Sequence, residues 1–119
     1  HVTAMGKYHP TQHEIDTTTV SRAKYVLDLL ARTEQDAGAY RTALSEGAIE
    51  EGHAHAELGD IVAGEAPGRE SDEEITVFDS GGTAIETVSA AKLLYDRARE
   101  QGLGQTLSVS PASEAFPGR

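Results

Sequence analysis

Apolar and polar positions change their spacing several times along this chain, and each change predicts an element. His1-Val2-Thr3-Ala4-Met5-Gly6 reads as the end of a strand running into a glycine turn, and Lys7 to His13, around Pro10, reads as a loop. Asp16 is placed to cap a short helix through Ala23. Tyr25-Val26-Leu27 is a compact β-prone run that Leu29-Leu30 either extends or ends in a turn. Thr33 to Ala37 and Tyr40 to Leu44 favour helix, broken by Gly38 and closed by Gly47. From His53 to Ala63 the apolar residues Ala54, Leu58, Ile61 and Val62 make a helical stripe ending at Gly64. Glu65 to Glu74 is a polar loop around Pro67-Gly68.

The last third has the clearest pattern. Ile75-Thr76-Val77-Phe78 carries a buried-strand signature and leads into Asp79-Ser80-Gly81-Gly82. Thr83, with Glu86 three residues on, has the form of a capping box opening a long helix. Its apolar face is Ala84, Val88, Ala91, Tyr95 and Ala98, widened by Ile85 and Leu94. Gly102 and Gly104 end it, Thr106 to Val109 is a possible final strand, and Pro111 to Arg119 reads as a frayed tail. Strands alternating with helices predict an α/β fold.

Composition narrows the function. At 119 residues the chain has room for about one domain. With no cysteine it can hold neither disulfide nor thiolate metal site, and no apolar run is long enough to span a bilayer. A net charge of −10 disfavours binding to a phosphate backbone. The same surplus of acids fits a salt-loving source, where screening tolerates it, or an ordinary acidic cytoplasmic protein, where it serves solubility. Beginning at His1 with no methionine or signal sequence before it, the chain looks like a piece of something longer.

Two strand ends are candidate ligand sites. Asp79-Ser80-Gly81-Gly82-Thr83 leads a strand into a helix N-terminus, where glycines admit a close ligand and first-turn amides face it; a tight βα connection needing glycine only for its turn is the equal alternative. Thr3-Ala4-Met5-Gly6 is a second such place, where small residues would let a flat ring lie against the backbone, or simply an ordinary strand end. The histidines at 1, 9 and 13, and the His53, His55, Glu57 set, lack metal-site spacing, so no metal is expected. No serine elbow, dinucleotide fingerprint or phosphate loop occurs. Glu70 to Glu74 reads as a solvated loop, or as the source of one carboxylate for the element that follows.

Glu57-Leu58-Gly59-Asp60-Ile61-Val62-Ala63-Gly64, Pro67-Gly68-Arg69 and Glu73-Glu74-Ile75-Thr76-Val77-Phe78-Asp79-Ser80 together resemble the ornithine cyclodeaminase/mu-crystallin family, to which archaeal-type alanine dehydrogenases and ketimine reductases also belong. The likeness continues through Ala84-Ile85-Glu86 and Ala90 to Tyr95, and upstream through His1 to Gly6 and Glu14-Ile15-Asp16. It implies the carboxyl-terminal third of a two-domain enzyme. Residues 1–82 would be the second half of a Rossmann-like domain binding NAD or NADP. Residues 83–109 would be a long helix and possible strand packing back toward a substrate and dimerisation domain, and 110–119 a disordered tail. The implied partners are a small amino or imino acid and a second copy in a homodimer, in the cytoplasm, without nucleic acid or membrane.

By position the resemblance assigns Val2, Thr3, Ala4, Met5 and Ser80 to the cofactor and Gly81 to the substrate. Tyr8 stands where cyclodeaminases and the archaeal alanine dehydrogenases carry an acid–base aspartate, and a phenol with a pKa near ~10 is a poor base at neutral pH. That departure weighs against ornithine deamination and toward imine reduction, or toward a mu-crystallin-like protein that binds the cofactor without turnover. His9, adjacent to Tyr8, is the alternative proton carrier. The catalytic residue stays open.

Overall fold

A computed structural model of the chain describes residues 1–6 and 9–107. It divides into two compact units, His1–Thr83 and Ala84–Arg119.

The first unit is a four-stranded parallel sheet, β1 (Val2–Ala4), β2 (Lys24–Leu27), β3 (Ala54–Glu57) and β4 (Thr76–Asp79), in the order β1-β4-β2-β3. Between the strands run α1 (Thr17–Arg22), α2 (Arg32–Gln35), α3 (Gly38–Ser45) and α4 (Leu58–Ala63). The connections β1→β2 and β2→β3 advance one way across the sheet, while β3→β4 turns back over β2. Right-handed crossovers therefore call for α1 to α3 on one face and α4 on the other. Strand alternation agrees. Tyr25, Leu27 and Val77 join Val20, Ala37, Tyr40 and Ala43 in the buried core. Val26 and Phe78, pointing the opposite way, line a cavity of about 180 Å³ with Leu58 and Ile61 of α4.

Several elements follow directly from local chemistry. Asp16 caps α1, its carboxylate accepting the Thr19 amide at 2.6 Å. Gly64 ends α4 with φ +78°, the left-handed conformation that glycine adopts without strain. The Glu70–Glu74 run is more than a solvated face. Lys24 Nζ donates to Glu70 Oε2 and pairs with Glu74 Oε1, both at 2.7 Å, and donates to the Gly68 carbonyl at 2.8 Å. The polar segment before β4 is thereby strapped to the start of β2.

Two expectations need correction. The stripe from His53 to Ala63 is not one helix, because Ala54–Glu57 forms β3 and only Leu58–Ala63 is helical. Parallel pairing with Tyr25, Val26 and Leu27 overrides the local periodicity there. The two expected helices are formed separately as α2 and α3, but the break between them falls at Asp36 and Ala37, and Gly38 begins α3, where the loop before α1 crosses it. A Cβ at Gly38 would stand 1.9 Å from the Gln12 carbonyl oxygen. The possible strand over 106–109 is not formed at Thr106 and Leu107, and the rest of it lies outside the described residues, as does the tail from 110 onward.

The second unit is built on α5 (Ala84–Glu100), 17 residues long, with Lys92 paired to Asp96 at 2.6 Å and the Arg99 guanidinium 6.0 Å from the Tyr95 ring centre. No residue of α5 is buried.

Candidate functional site

In an open parallel sheet ligands gather at the carboxyl ends of the strands. Here β1 and β4 are neighbours with Ala4 opposite Asp79, and the ladder runs one step further as Ser80 N donates to Ala4 O at 2.8 Å. The fold thus brings together the two strand ends that the sequence singles out, Val2-Thr3-Ala4-Met5 and Ser80-Gly81. Ala4 and Ser80 are buried, Thr3 is exposed, and Val2 and Met5 are 38% and 61% exposed. Tyr8 lies outside the described residues. His9 is exposed, its ring bonded to Thr11 Oγ1 at 3.0 Å. A cavity of about 10 Å³, water-sized, lies beside these ends and is lined by Met5, His13, Glu14 and Asp79, among others.

Neither glycine turn presents bare amides. A carboxylate from within the chain already accepts from each. Glu14 Oε2 takes the amides of Met5 at 3.0 Å and Gly6 at 2.6 Å. Asp28 Oδ2 takes those of Gly81 at 2.7 Å and Gly82 at 2.8 Å. In the segment Asp79 to Thr83, read from the sequence as either a ligand site or a tight βα turn, the amides of Gly81 and Gly82 are therefore taken by the protein's own carboxylate.

Asp28 belongs to a buried network that the sequence reading missed. Arg32 Nη1 donates to Asp28 Oδ1 at 3.0 Å and to the Asp79 carbonyl at 2.8 Å, while Nε reaches Asp36 Oδ1 at 2.8 Å. From the other side Tyr25 Oη donates to Asp79 Oδ2 at 2.5 Å. Among the described residues no buried side-chain polar atom lacks a partner. Burial alone would raise the Asp28 pKa, but the bond and charge of Arg32 and the two glycine amides outweigh it and hold the carboxyl below its ordinary 3.8. Burial, then the Asp79 carboxylate, pushes the Tyr25 phenol above its ordinary 10.0, so it stays a donor. A sequence signal for the network existed: Asp28, Arg32 and Asp36 are spaced four apart just after a strand end.

The histidines keep to separate structural tasks. His53 Nε2 bonds the Val20 carbonyl and His55 Nε2 the Pro67 carbonyl, both at 2.8 Å. Among the described residues no group of three or more potential ligands converges on a metal position, and no helix is long and apolar enough to cross a membrane.

The residues fit one end of a dinucleotide. Small side chains and turns at the paired ends of β1 and β4 make a wall that a flat ring can approach, whereas no phosphate-binding glycine fingerprint is present in this sequence. A Δ(1)-pyrroline-2-carboxylate reductase of Bacillus cereus (strain ATCC 10987 / NRS 248) is 39% identical over 108 residues, 90% of this chain and 33% of the relative. The structure of Thermococcus litoralis Δ(1)-pyrroline-2-carboxylate reductase in complex with NADH and L-proline superposes with a TM-score of 0.74 at 41% identity, covering 88% of this chain and 32% of that one. An archaeal alanine dehydrogenase dimer with bound NAD gives 0.69 at 38% identity, covering 91% and 33%. The chain spans about a third of the length of these relatives. The model of the ornithine cyclodeaminase/mu-crystallin family matches residues 1–102, most of the sequence, and the chain belongs to that family.

Proposed function

We propose that this chain is the carboxyl-terminal third of a longer NAD(P)-dependent enzyme that reduces a small cyclic imino acid or dehydrogenates the matching amino acid. The observation that carries the reading is the meeting of Val2-Thr3-Ala4-Met5 with Ser80-Gly81 at the paired ends of β1 and β4. In this reading residues 1–82 complete the cofactor domain, 83–109 pack toward a substrate and dimerisation domain, and 110–119 are a tail. The nicotinamide, when bound, supplies or accepts the hydride, and the protein holds it against the substrate. Val2 to Met5 and Ser80 form the wall on the cofactor side, and Gly81 faces the substrate. His9 serves as proton carrier; an unchanged rate in His9→Ala of the complete polypeptide would remove that assignment.

The test is to express the complete reading frame that contains this chain and mix it with pyrroline-2-carboxylate and NADH or NADPH. Loss of the reduced-nicotinamide absorbance is the expected result, and absence of both turnover and cofactor binding overturns the reading. A second reading is favoured by Tyr8, which replaces the family's acid–base aspartate. A mu-crystallin-like protein would bind the cofactor and leave the absorbance unchanged with every imino or amino acid tried.

A further inference from the structure

We infer that Glu14 and Asp28 are positioning residues for the nicotinamide end of the cofactor, an inference that rests on the function proposed above. Each is a carboxylate delivered from a different part of the chain to a pair of consecutive backbone amides: Met5 and Gly6 at the end of β1, Gly81 and Gly82 at the end of β4. The two strands are adjacent, so the two clamps flank one stretch of sheet edge. Both turns need glycine for this arrangement. A Cβ on Gly6 would stand 2.1 Å from Glu14 Oε1, and one on Gly81 2.3 Å from Nε of Arg32, which itself holds Asp28.

The chemistry of the clamps has two consequences. A turn whose paired amides are bound to a charged acceptor is fixed in orientation before any ligand arrives, since charge-assisted bonds of this kind are short and strong. Amides already committed to a carboxylate are also withheld from phosphate or from a substrate carboxylate. The edge therefore receives an uncharged or cationic flat group, which describes the amide-bearing ring of the cofactor and a protonated imine. The anionic parts of both molecules are held elsewhere. Neither carboxylate takes part in hydride or proton transfer; both act through the turns they hold.

The two halves of the cofactor provide the test. In the complete polypeptide, affinity is measured for NADH or NADPH, whichever binds, and for the same molecule without its nicotinamide, ADP-ribose or its 2′-phosphate. Glu14→Gln and Asp28→Asn keep side-chain size and remove the charge. The expected result is binding of the whole cofactor weakened roughly tenfold, equivalent to about 1.4 kcal/mol, with ADP-ribose affinity unchanged. Equal loss for both ligands means a merely structural role and overturns the inference, as does unchanged affinity for both. Glu14 is exposed, so Glu14→Gln decides the matter alone if Asp28→Asn does not fold. A wild-type polypeptide that binds neither ligand overturns the proposed function itself, a failure distinct from the other two.

Discussion

The side chain of Asp28 is 1% exposed and that of Arg32 6%, so their ion pair is out of reach of solvent screening. Removing Asp28 leaves Arg32 its bond to Asp36 and its charge contact with Asp79, so the cost is about 1–3 kcal/mol, that of a lost buried bond to a charged group, rather than that of a stranded charge. Asp28→Asn in the complete polypeptide should lower unfolding stability by that order in urea at neutral pH. The pH dependence has a definite sign. Because the folded-state pKa of Asp28 lies below the ordinary 3.8, the folded state binds fewer protons than the unfolded state in that region. Its contribution is complete above about 3.8 and is lost as pH falls through the lower folded value. The variant should therefore lack this part of the acid-induced loss, and an identical acid profile for both proteins contradicts the assignment. Gly81 depends on the same guanidinium. Gly81→Ala drives a Cβ into Arg32 and should destabilise by about 1–3 kcal/mol, whereas the same change in an Arg32→Ala background should add much less. Additive effects in that double-mutant cycle would mean that the two residues do not meet. Residues 80–82 were legible in the sequence because glycines at a strand end are a local signal. For Arg32 only the spacing to Asp28 and Asp36 was a local signal; its reach to Asp79, 47 positions away, was not, because only the β2–β4 pairing brings the two together.

Among the elements, legibility followed how local the cause was. The α1 cap, the left-handed glycine closing α4 and the long helix α5 each rest on contacts within a few residues, and the sequence shows them. β3 rests on a neighbour about 30 positions earlier, and Ala-His-Ala-Glu has neither a β-branched residue nor a Phe, Tyr or Trp to announce a strand. The strap before β4 behaves similarly, since nothing near Glu70 or Glu74 in sequence reveals that Lys24 will hold both. Bonds to Glu70 and then Glu74 raise the Lys24 pKa above its ordinary 10.5, and the bond from Lys24 holds Glu74 below its ordinary 4.5. A raised lysine pKa stabilises below 10.5 and loses that contribution as pH rises through the higher folded value. A lowered glutamate pKa stabilises above 4.5 and loses it as pH falls through the lower one. The clasp is thus intact from about pH 4.5 to 10.5. Lys24→Met should free the strap, so that the segment around the already exposed Arg69 becomes mobile and limited trypsin digestion at neutral pH cleaves there several times faster than in the unaltered protein. Equal cleavage rates would show that the strap is held by other contacts.

For the whole molecule, the balance is between exposed apolar surface and charge. Among the described residues nothing pairs with the outer edge of β1 or of β3, and Val2, Met5, Leu29, Leu30 and Val62 are exposed in the sheet unit. In the second unit Ile85, Val88, Leu94 and Tyr95 leave the apolar stripe of α5 open. Against this stands a net charge of −10, which at low ionic strength keeps copies apart. Salt shortens the reach of that repulsion from about 10 Å at 0.1 M to about 3 Å at 1 M, while leaving apolar burial available. The isolated 119-residue chain should therefore sediment as small species in dilute buffer and as larger ones when either protein or KCl concentration rises. Its melting temperature should rise with KCl as screening relieves the crowded carboxylates. Sedimentation velocity and thermal melts across one KCl series check both expectations. A chain that stays monomeric to molar salt and melts in a sharp cooperative transition would show that these edges and this helix face are tolerated by the fold as it stands, and that exposed apolar area does not govern its association. A melting temperature indifferent to salt would separately rule out adaptation to a saline environment as the reason for the surplus of acids.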